Sequence, residues 1–292
     1  MRKSSLFGPS DIPLKPEEYR LLRDLFVAKI GVHFGPEARF SLERRLRERL
    51  SVLKLSTFAE YYQYLRFHPL AMAEWEEAVE LLTTNETYFF REDYQLRSFK
   101  NELLPQLAAQ AKARKRLSIW SAGCSTGEEA YTIAILLKQS GLFSGWDVRV
   151  YGSDLSKRCV ATARKGVYGP GAFRATPEEV KREFFVMKQD GHHVSDPIRS
   201  MCQFGQMNLL DEDKARLLGR ADAIFCRNVL IYFDTEKRRK AIDIFHERLY
   251  AGGVLLLGHS ESLLNVSTAF ELLHLKEDLV YRKPKAFVAG GL

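Results

Sequence analysis

The chain of 292 residues is long enough for one large domain and one small one, each with its own hydrophobic core. Its composition is that of a globular protein, 46% hydrophobic and 28% charged. Because it has no apolar run of about 18 residues, no secretory signal and no CxxC pair, we expect a cytoplasmic protein, not an integral membrane protein. The net charge of +7 predicts an acidic partner surface and leaves nucleic acid and acidic protein open.

The first 82 residues contain only helical patterns. Apolar residues recur at helical spacing in segments 15–30, 41–54, 57–67 and 71–82. Thr57 and Glu60 are spaced as a capping box at the start of the third segment. We therefore predict an all-helical N-terminal domain over residues 1–82, followed by a connecting segment over residues 83–115.

From residue 116 to the end of the chain at 292, short apolar strands alternate with helices. Such alternation is typical of a doubly wound parallel sheet. The last connection lacks a full helix, so the final strand, over residues 272–282, is expected to pair antiparallel. Asp190-Gly191, between two short β-prone runs, predicts a hairpin.

Polar residues follow the predicted strands, at the edge where ligands bind in such sheets. The first strand leads into a small-residue loop that contains Gly123 and opens a helix with two glutamates, which suits a cationic ligand. Asp154 ends the second strand, where it can accept ribose hydroxyls. Arg227, Asn228 and Tyr232 interrupt an apolar run after the fourth strand. The alternatives to a ligand-binding role are a tight turn at Gly123, a helix cap at Asp154 and a structural network at Arg227.

Six motifs in order resemble the CheR family of chemotaxis receptor methyltransferases. They are TTNETYFFRE (83–92), WSAGCSTGEEAYTIAI (120–135), YGSDLS with Asp154, NLL (208–210), FCRNVLIYFD (225–234) and GHSESL (258–263). The resemblance implies an α/β fold: a Rossmann-like class I methyltransferase domain with a small inserted β-subdomain, here at about 186–206, preceded by an all-α domain. The insert is short and lacks a long second ribbon, which argues against binding of a receptor C-terminal peptide.

The resemblance also implies a site for S-adenosylmethionine, with S-adenosylhomocysteine as product and no metal. Together with Gly123, the residues expected to contact the cofactor are Asn85, Thr87, Arg91, Glu129, Asp154, Asn208, Leu209, Arg227 and Asn228. Arg91 and Tyr232 are expected nearest the reacting methyl group. The implied acceptors are glutamates on the cytoplasmic helical domain of methyl-accepting chemotaxis receptors. A carboxylate is ionised at neutral pH and needs no general base.

The second predicted helix carries four arginines, Arg44, Arg45, Arg47 and Arg49. Glu43 and Glu48 offset only part of this charge, so we predict that the arginines dock on an acidic receptor helix; a solvated face is the alternative. Two other functions are the alternatives. A nucleic-acid methyltransferase is disfavoured because R-N-V-L-I-Y replaces the N-P-P-Y type of motif, and a non-catalytic cofactor sensor is opposed by Arg91 and Tyr232.

Overall fold

The computed structural model describes residues 12–83 and 85–285. The described chain forms two compact units. One comprises residues 12–83 together with Tyr232–Asp234, and the other comprises Asn85–Ile231 and residues 235–285. Within the described ranges, no helix has both the length and the apolar character needed to cross a bilayer.

The smaller unit is helical. Its helices are α1 (Pro16–Ile30), α2 (Arg39–Leu53), α3 (Phe58–Phe67) and α4 (Ala71–Leu82). Leu22, Phe26, Leu46 and Leu50 are fully buried, because each recurs on the apolar face of its helix. Thr57 caps α3 by accepting a hydrogen bond from the Glu60 N–H at 3.1 Å.

The larger unit is built on a seven-stranded sheet. Its strands are β1 (Arg116–Ala122), β2 (Asp147–Asp154), β6 (Cys202–Gln206), β7 (Ala221–Cys226), β8 (Leu249–Leu257), β9 (Glu271–His274) and β10 (Leu279–Arg282). Their order across the sheet is β6-β2-β1-β7-β8-β10-β9. β10 pairs antiparallel with both of its neighbours, which confirms the predicted antiparallel end of the chain. The single strand predicted over residues 272–282 is a hairpin of two strands.

Helices cover both faces of this sheet. They are α7 (Glu128–Ser140), α8 (Lys157–Lys165), α11 (Glu212–Leu217) and α12 (Thr235–Arg248). Ile119 of β1 lies in the buried cluster formed with α7, whereas Trp120 packs edge-on against Phe245 of α12, with ring centroids 5.2 Å apart. The predicted fold class is thus confirmed: buried strands with apolar residues on both faces lie between two layers of helices.

Part of the predicted connecting segment is a long helical stretch. It comprises α5 (Asp93–Ser98), a π-helical turn (Phe99–Leu103) and α6 (Leu104–Ala111). Leu96, Phe99 and Leu107 are buried in the main core cluster. The stretch therefore forms part of the larger unit's core.

The small inserted sheet differs from its predicted range. It contains β3 (Val167–Tyr168), β4 (Phe185–Lys188) and β5 (Gly191–Val194), in the order β3-β5-β4. The insert thus starts upstream of residue 186, and the strand Cys202–Gln206 pairs with β2 in the main sheet. Between these strands lie α9 (Glu178–Phe184) and α10 (Asp196–Arg199). The hairpin is present, and its loop is Gln189–Asp190, since Lys188 pairs with Gly191.

Candidate active site

The loop after β1 turns sharply at Gly123. Its φ of +83° is unfavourable for any residue with a side chain. A Cβ atom there would lie 2.4 Å from Cγ2 of Val229, so glycine is also required by packing. The N–H groups of Gly123 and Cys124 both donate to the carbonyl of Ser153, at 2.8 and 2.9 Å. The turn thus holds the loop after β1 close to the end of β2 and to the loop after β7.

Asp154, at the end of β2, joins two of these loops. Its carboxylate accepts hydrogen bonds from the N–H of Ser125 at 2.7 Å and from the N–H of Ser156 at 2.9 Å. The cap of α8 is Ser156, which accepts from the N–H of Cys159, so the alternative of Asp154 as a helix cap is wrong. Because each carboxylate oxygen has two lone pairs, Asp154 can still accept ribose hydroxyls.

Arg227, directly after β7, lies in a buried charge cluster. Its side chain is 3% exposed and forms ion pairs with Glu129 at 3.2 Å and Glu92 at 3.1 Å. It also donates to the carbonyl of Arg91 at 2.6 Å. Burial raises the pKa of Glu129, and the nearby Arg227 and a hydrogen bond from Ser121 act in the opposite direction. Arg227 thus links Glu129, on the helix after β1, to the segment that carries Arg91 and Glu92.

Glu261 fixes the loop that carries Arg227 and Asn228. Its carboxylate accepts four main-chain N–H groups: those of Asn228, Val229, Ile231 and Gly258, at 2.8, 2.9, 3.2 and 2.8 Å. Asn228 itself has a φ of +60° and donates from its side chain to Glu92 at 3.3 Å. One carboxylate thus holds the loop after β7 against the end of β8.

The segment from Asn85 to Glu92 lies beside these loops. The carbonyl of Asn85 accepts a hydrogen bond from the hydroxyl of Ser125 at 3.3 Å. Phe90 and Glu92 both have positive φ, at 60° and 54°, which is strained for a bulky residue and places Arg91 between two left-handed positions. The Arg91 side chain donates to the carbonyl of Glu86 at 2.8 Å. Thr87 is half-buried in the same segment.

Asn208 and Leu209 follow β6. The side-chain oxygen of Asn208 accepts from the N–H of Leu210 at 3.0 Å, and Leu209 is buried. The neighbouring Met207 N–H donates to the carbonyl of Asp154 at 2.8 Å. This turn is therefore attached to the same end of the sheet as Asp154.

The ten residues predicted to bind the cofactor all belong to the larger unit, and hydrogen bonds connect the loops that carry them. Tyr232 belongs to the helical unit, where its carbonyl accepts the N–H of His33 at 2.7 Å. Glu92 and Glu261, which hold these loops through hydrogen bonds, were not among the predicted site residues. The rule that informative residues follow each strand could have found Glu261, because it comes four residues after β8.

The four arginines of α2 differ in their surroundings. Arg49 is paired with the buried Glu74 at 2.7 Å, and Arg45 donates to the carbonyls of Leu81 and Leu82 at 3.2 Å. Arg47 pairs with Glu43, and Arg44 is exposed. Two of the four thus have a carboxylate partner within the helical unit, and Arg45 is bonded to main-chain carbonyls; the docking role of these arginines stays a prediction.

The larger unit offers a donor and acceptor set that fits S-adenosylmethionine. This cofactor carries cationic sulfonium and amino groups, a carboxylate, and ribose hydroxyls. Glu129 and Asp154 are suitable acceptors for the amino group and the hydroxyls. The Nε atom of Arg227 is buried without a hydrogen-bond partner among the described residues, so it is a donor that a ligand carboxylate could satisfy. Which residue contacts which cofactor group stays a prediction. Within the same ranges, no cluster of three or more potential metal ligands occurs.

When the seven strands of the main sheet are numbered in chain order, they lie in the order 3-2-1-4-5-7-6. This is the doubly wound order 3-2-1-4-5-6 with the antiparallel strand β10 inserted between β8 and β9. The fold and the loops at this edge define a Rossmann-like, class I S-adenosylmethionine-binding methyltransferase domain. The family model described as "CheR methyltransferase, SAM binding domain" matches residues 85–279, and "CheR methyltransferase, all-alpha domain" matches residues 17–83. The chain belongs to the CheR methyltransferase family, which confirms the resemblance seen in its motifs.

Relatives that match most of the chain agree with this assignment. Chemotaxis protein methyltransferase 2 of Vibrio cholerae is 34% identical over 94% of this chain and 96% of its own length. Chemotaxis protein methyltransferase 2 of Pseudomonas aeruginosa is 34% identical, covering 90% of this chain and 93% of its own. The N-methyltransferase NodS of Bradyrhizobium japonicum, solved with S-adenosyl-L-homocysteine, has a TM-score of 0.35 and 17% identity, covering 64% of this chain and 88% of its own. That likeness is too low to argue from.

Proposed function

We propose that the protein methylates glutamate side chains on the cytoplasmic helical domain of methyl-accepting chemotaxis receptors. The products would be glutamate methyl esters and S-adenosylhomocysteine. The family and the names of the relatives support a role in chemotaxis. Receptors with this domain present it to the cytoplasm, so the enzyme would act there.

The contrast between two arginines carries the proposal of an anionic acceptor. Arg227 is buried and paired with two carboxylates. Arg91 donates only to a main-chain carbonyl, and among the described residues it has no carboxylate partner. A guanidinium with remaining N–H groups suits an incoming carboxylate, which it can bind through two parallel hydrogen bonds.

The chain's own residues would act by binding and orientation. When bound, S-adenosylmethionine supplies a methyl group on a positively charged sulfur. Glu129 and Asp154 would hold the cofactor's polar groups, and Arg227 would keep Glu129 in place. Arg91 and the hydroxyl of Tyr232 would orient the acceptor carboxylate for in-line attack. No residue needs to remove a proton, because the acceptor is already ionised at neutral pH.

The helical unit would dock on the receptor. Glutamate methylation sites on an exposed helix form an acidic surface, and α2 presents Arg44 to solvent. Arg45 and Arg49 would support this surface from within the unit, since their side chains are engaged with α4. Electrostatic docking of this kind speeds encounter and weakens as salt rises.

Labelled S-adenosylmethionine with a purified receptor cytoplasmic fragment, and in parallel with total RNA, tests the proposal. We expect alkali-labile label on the receptor fragment alone. Tyr232→Phe should lower turnover more than cofactor affinity, because its hydroxyl would act on the acceptor in the transition state. Tyr62→Phe, which removes a hydroxyl bonded to Arg66 in the same unit, is the matched control and should not change turnover.

Label on RNA would establish the nucleic-acid alternative. Cofactor binding without transfer to either acceptor would establish the non-catalytic alternative. Either result would overturn the proposed function.

A further inference from the structure

Tyr88 carries two guanidinium groups on its ring. The Cζ atom of Arg174 lies 3.8 Å from the ring centroid, and that of Arg91 lies 5.9 Å from it. Stacking on an aromatic ring orients a guanidinium and leaves its N–H edge available for a carboxylate. Two cations therefore share one platform in the segment that contains the predicted catalytic Arg91.

The position of Arg174 is fixed by packing. It directly follows a 3₁₀ turn, Pro170–Phe173, in the inserted region. Phe173 stacks on Phe89 with ring centroids 5.1 Å apart, and the Phe89 N–H donates to the carbonyl of Ala172 at 2.9 Å. The residue before Arg174 and the residue after Tyr88 are thus held together, so the cation–π contact follows from the fold.

The carboxylate of Glu86 forms an ion pair with Arg174. The Nη2 atom of Arg174 donates to Glu86 at 2.7 Å, and the two side chains are 51% and 67% exposed. Within the described chain, the Nη1 and Nε atoms of Arg174 make no hydrogen bond. An ion pair this exposed contributes little free energy, so another carboxylate can replace Glu86 at small cost. The backbone carbonyl of Glu86 meanwhile holds Arg91.

We infer that Arg174 is a second carboxylate-binding residue of the acceptor site. It binds an acidic side chain that neighbours the methylated glutamate on the acceptor helix, and Glu86 holds this position when no acceptor is bound. Side chains three or four residues apart on a helix have Cβ atoms about 5–6 Å apart, a separation that two cations over one ring can bridge. The inference rests on the proposed function, since it assumes a glutamate acceptor on an acidic helix.

Steady-state methylation of a purified receptor cytoplasmic fragment, with cofactor affinity measured separately by calorimetry, provides the test. Arg174→Gln should raise the KM for the fragment about 10-fold, because a charge-assisted contact is lost, and leave cofactor affinity unchanged. Glu86→Gln should lower the KM about 2- to 3-fold, because it removes the competing carboxylate. Arg220→Gln removes the same charge at an exposed position before β7 and should leave the KM unchanged.

The double variant gives the sharpest result. If Glu86 acts through Arg174, then Glu86→Gln should have no effect once Arg174 is Gln. A fragment that is methylated normally by Arg174→Gln would overturn the inference and leave the proposed function standing. Independent, additive effects of the two substitutions would also overturn it. A fragment that the wild-type enzyme does not methylate would overturn both.

Discussion

The four hydrogen bonds to Glu261 allow a specific perturbation of the loop after β7. In Glu261→Gln the side chain keeps its size, but one of its two ends becomes an NH₂ group. The NH₂ group cannot accept a hydrogen bond, so two of the four main-chain N–H groups lose their acceptor. An unsatisfied donor costs about 1–3 kcal/mol, and because Glu261 is only half-buried, water can replace part of the loss. We therefore expect a destabilisation of about 2 kcal/mol.

Hydrogen exchange read by mass spectrometry is the direct assay, because it reports the N–H groups that Glu261 binds. Exchange should accelerate in peptides covering residues 227–232 and 257–262. The midpoint of thermal unfolding should fall by about 4–8 °C, given about 2–4 °C per kcal/mol for a unit of this size. Glu271→Gln makes the same charge change at an exposed position of β9 and should shift the midpoint by less than about 1–2 °C. If exchange and midpoint are the same in the two variants, Glu261 does not hold this loop.

Two further predictions concern the cofactor and the receptor. Asp154→Ala should weaken S-adenosylmethionine binding about 10- to 100-fold in calorimetry, since charge-assisted bonds to the ribose would be lost; unchanged affinity in a folded variant would remove the role. Arg44→Glu should raise the KM for receptor at low salt without lowering stability. Arg49→Ala should destabilise the helical unit by about 3 kcal/mol, because the buried Glu74 carboxylate loses its cationic partner and keeps the hydrogen bond from the Tyr61 hydroxyl. Equal stability of the two variants in urea unfolding would contradict this distinction.

The centre of the sheet was predictable from the sequence because the strands β1, β7 and β8 are buried on both faces. Residues 221–226 are apolar except for Asp222 and lie between polar turns, so the sequence predicts a strand there, and the structure shows one with the bounds Ala221–Cys226. The helical stretch from Asp93 to Ala111 was not predicted. Its π-helical turn at Phe99–Leu103 inserts an extra residue per turn and shifts the apolar stripe out of the 3.6-residue period.

The position of a candidate site residue was predictable where that residue ends or directly follows a strand. Asp154 illustrates this, because its position at the end of β2 places it among the loops at the carboxyl edge of the sheet. The partners of charged residues were not predictable. Glu92 lies 135 residues before Arg227, and Glu74 lies 25 residues after Arg49, so no local spacing indicates either pair. The surplus of arginine on α2 therefore gave no indication that Arg45 and Arg49 are engaged with α4.

The segment Tyr232–Asp234 has a consequence for biosynthesis. Phe233 forms a β-bridge with Val32, and the Tyr232 carbonyl accepts the N–H of His33. These partners are translated about 150 residues after the end of α4, which at about 5–20 residues per second is a delay on the order of ten seconds. The helical unit therefore leaves the ribosome with Val32 and His33 unpaired, and it completes its fold only when most of the methyltransferase domain has been synthesised.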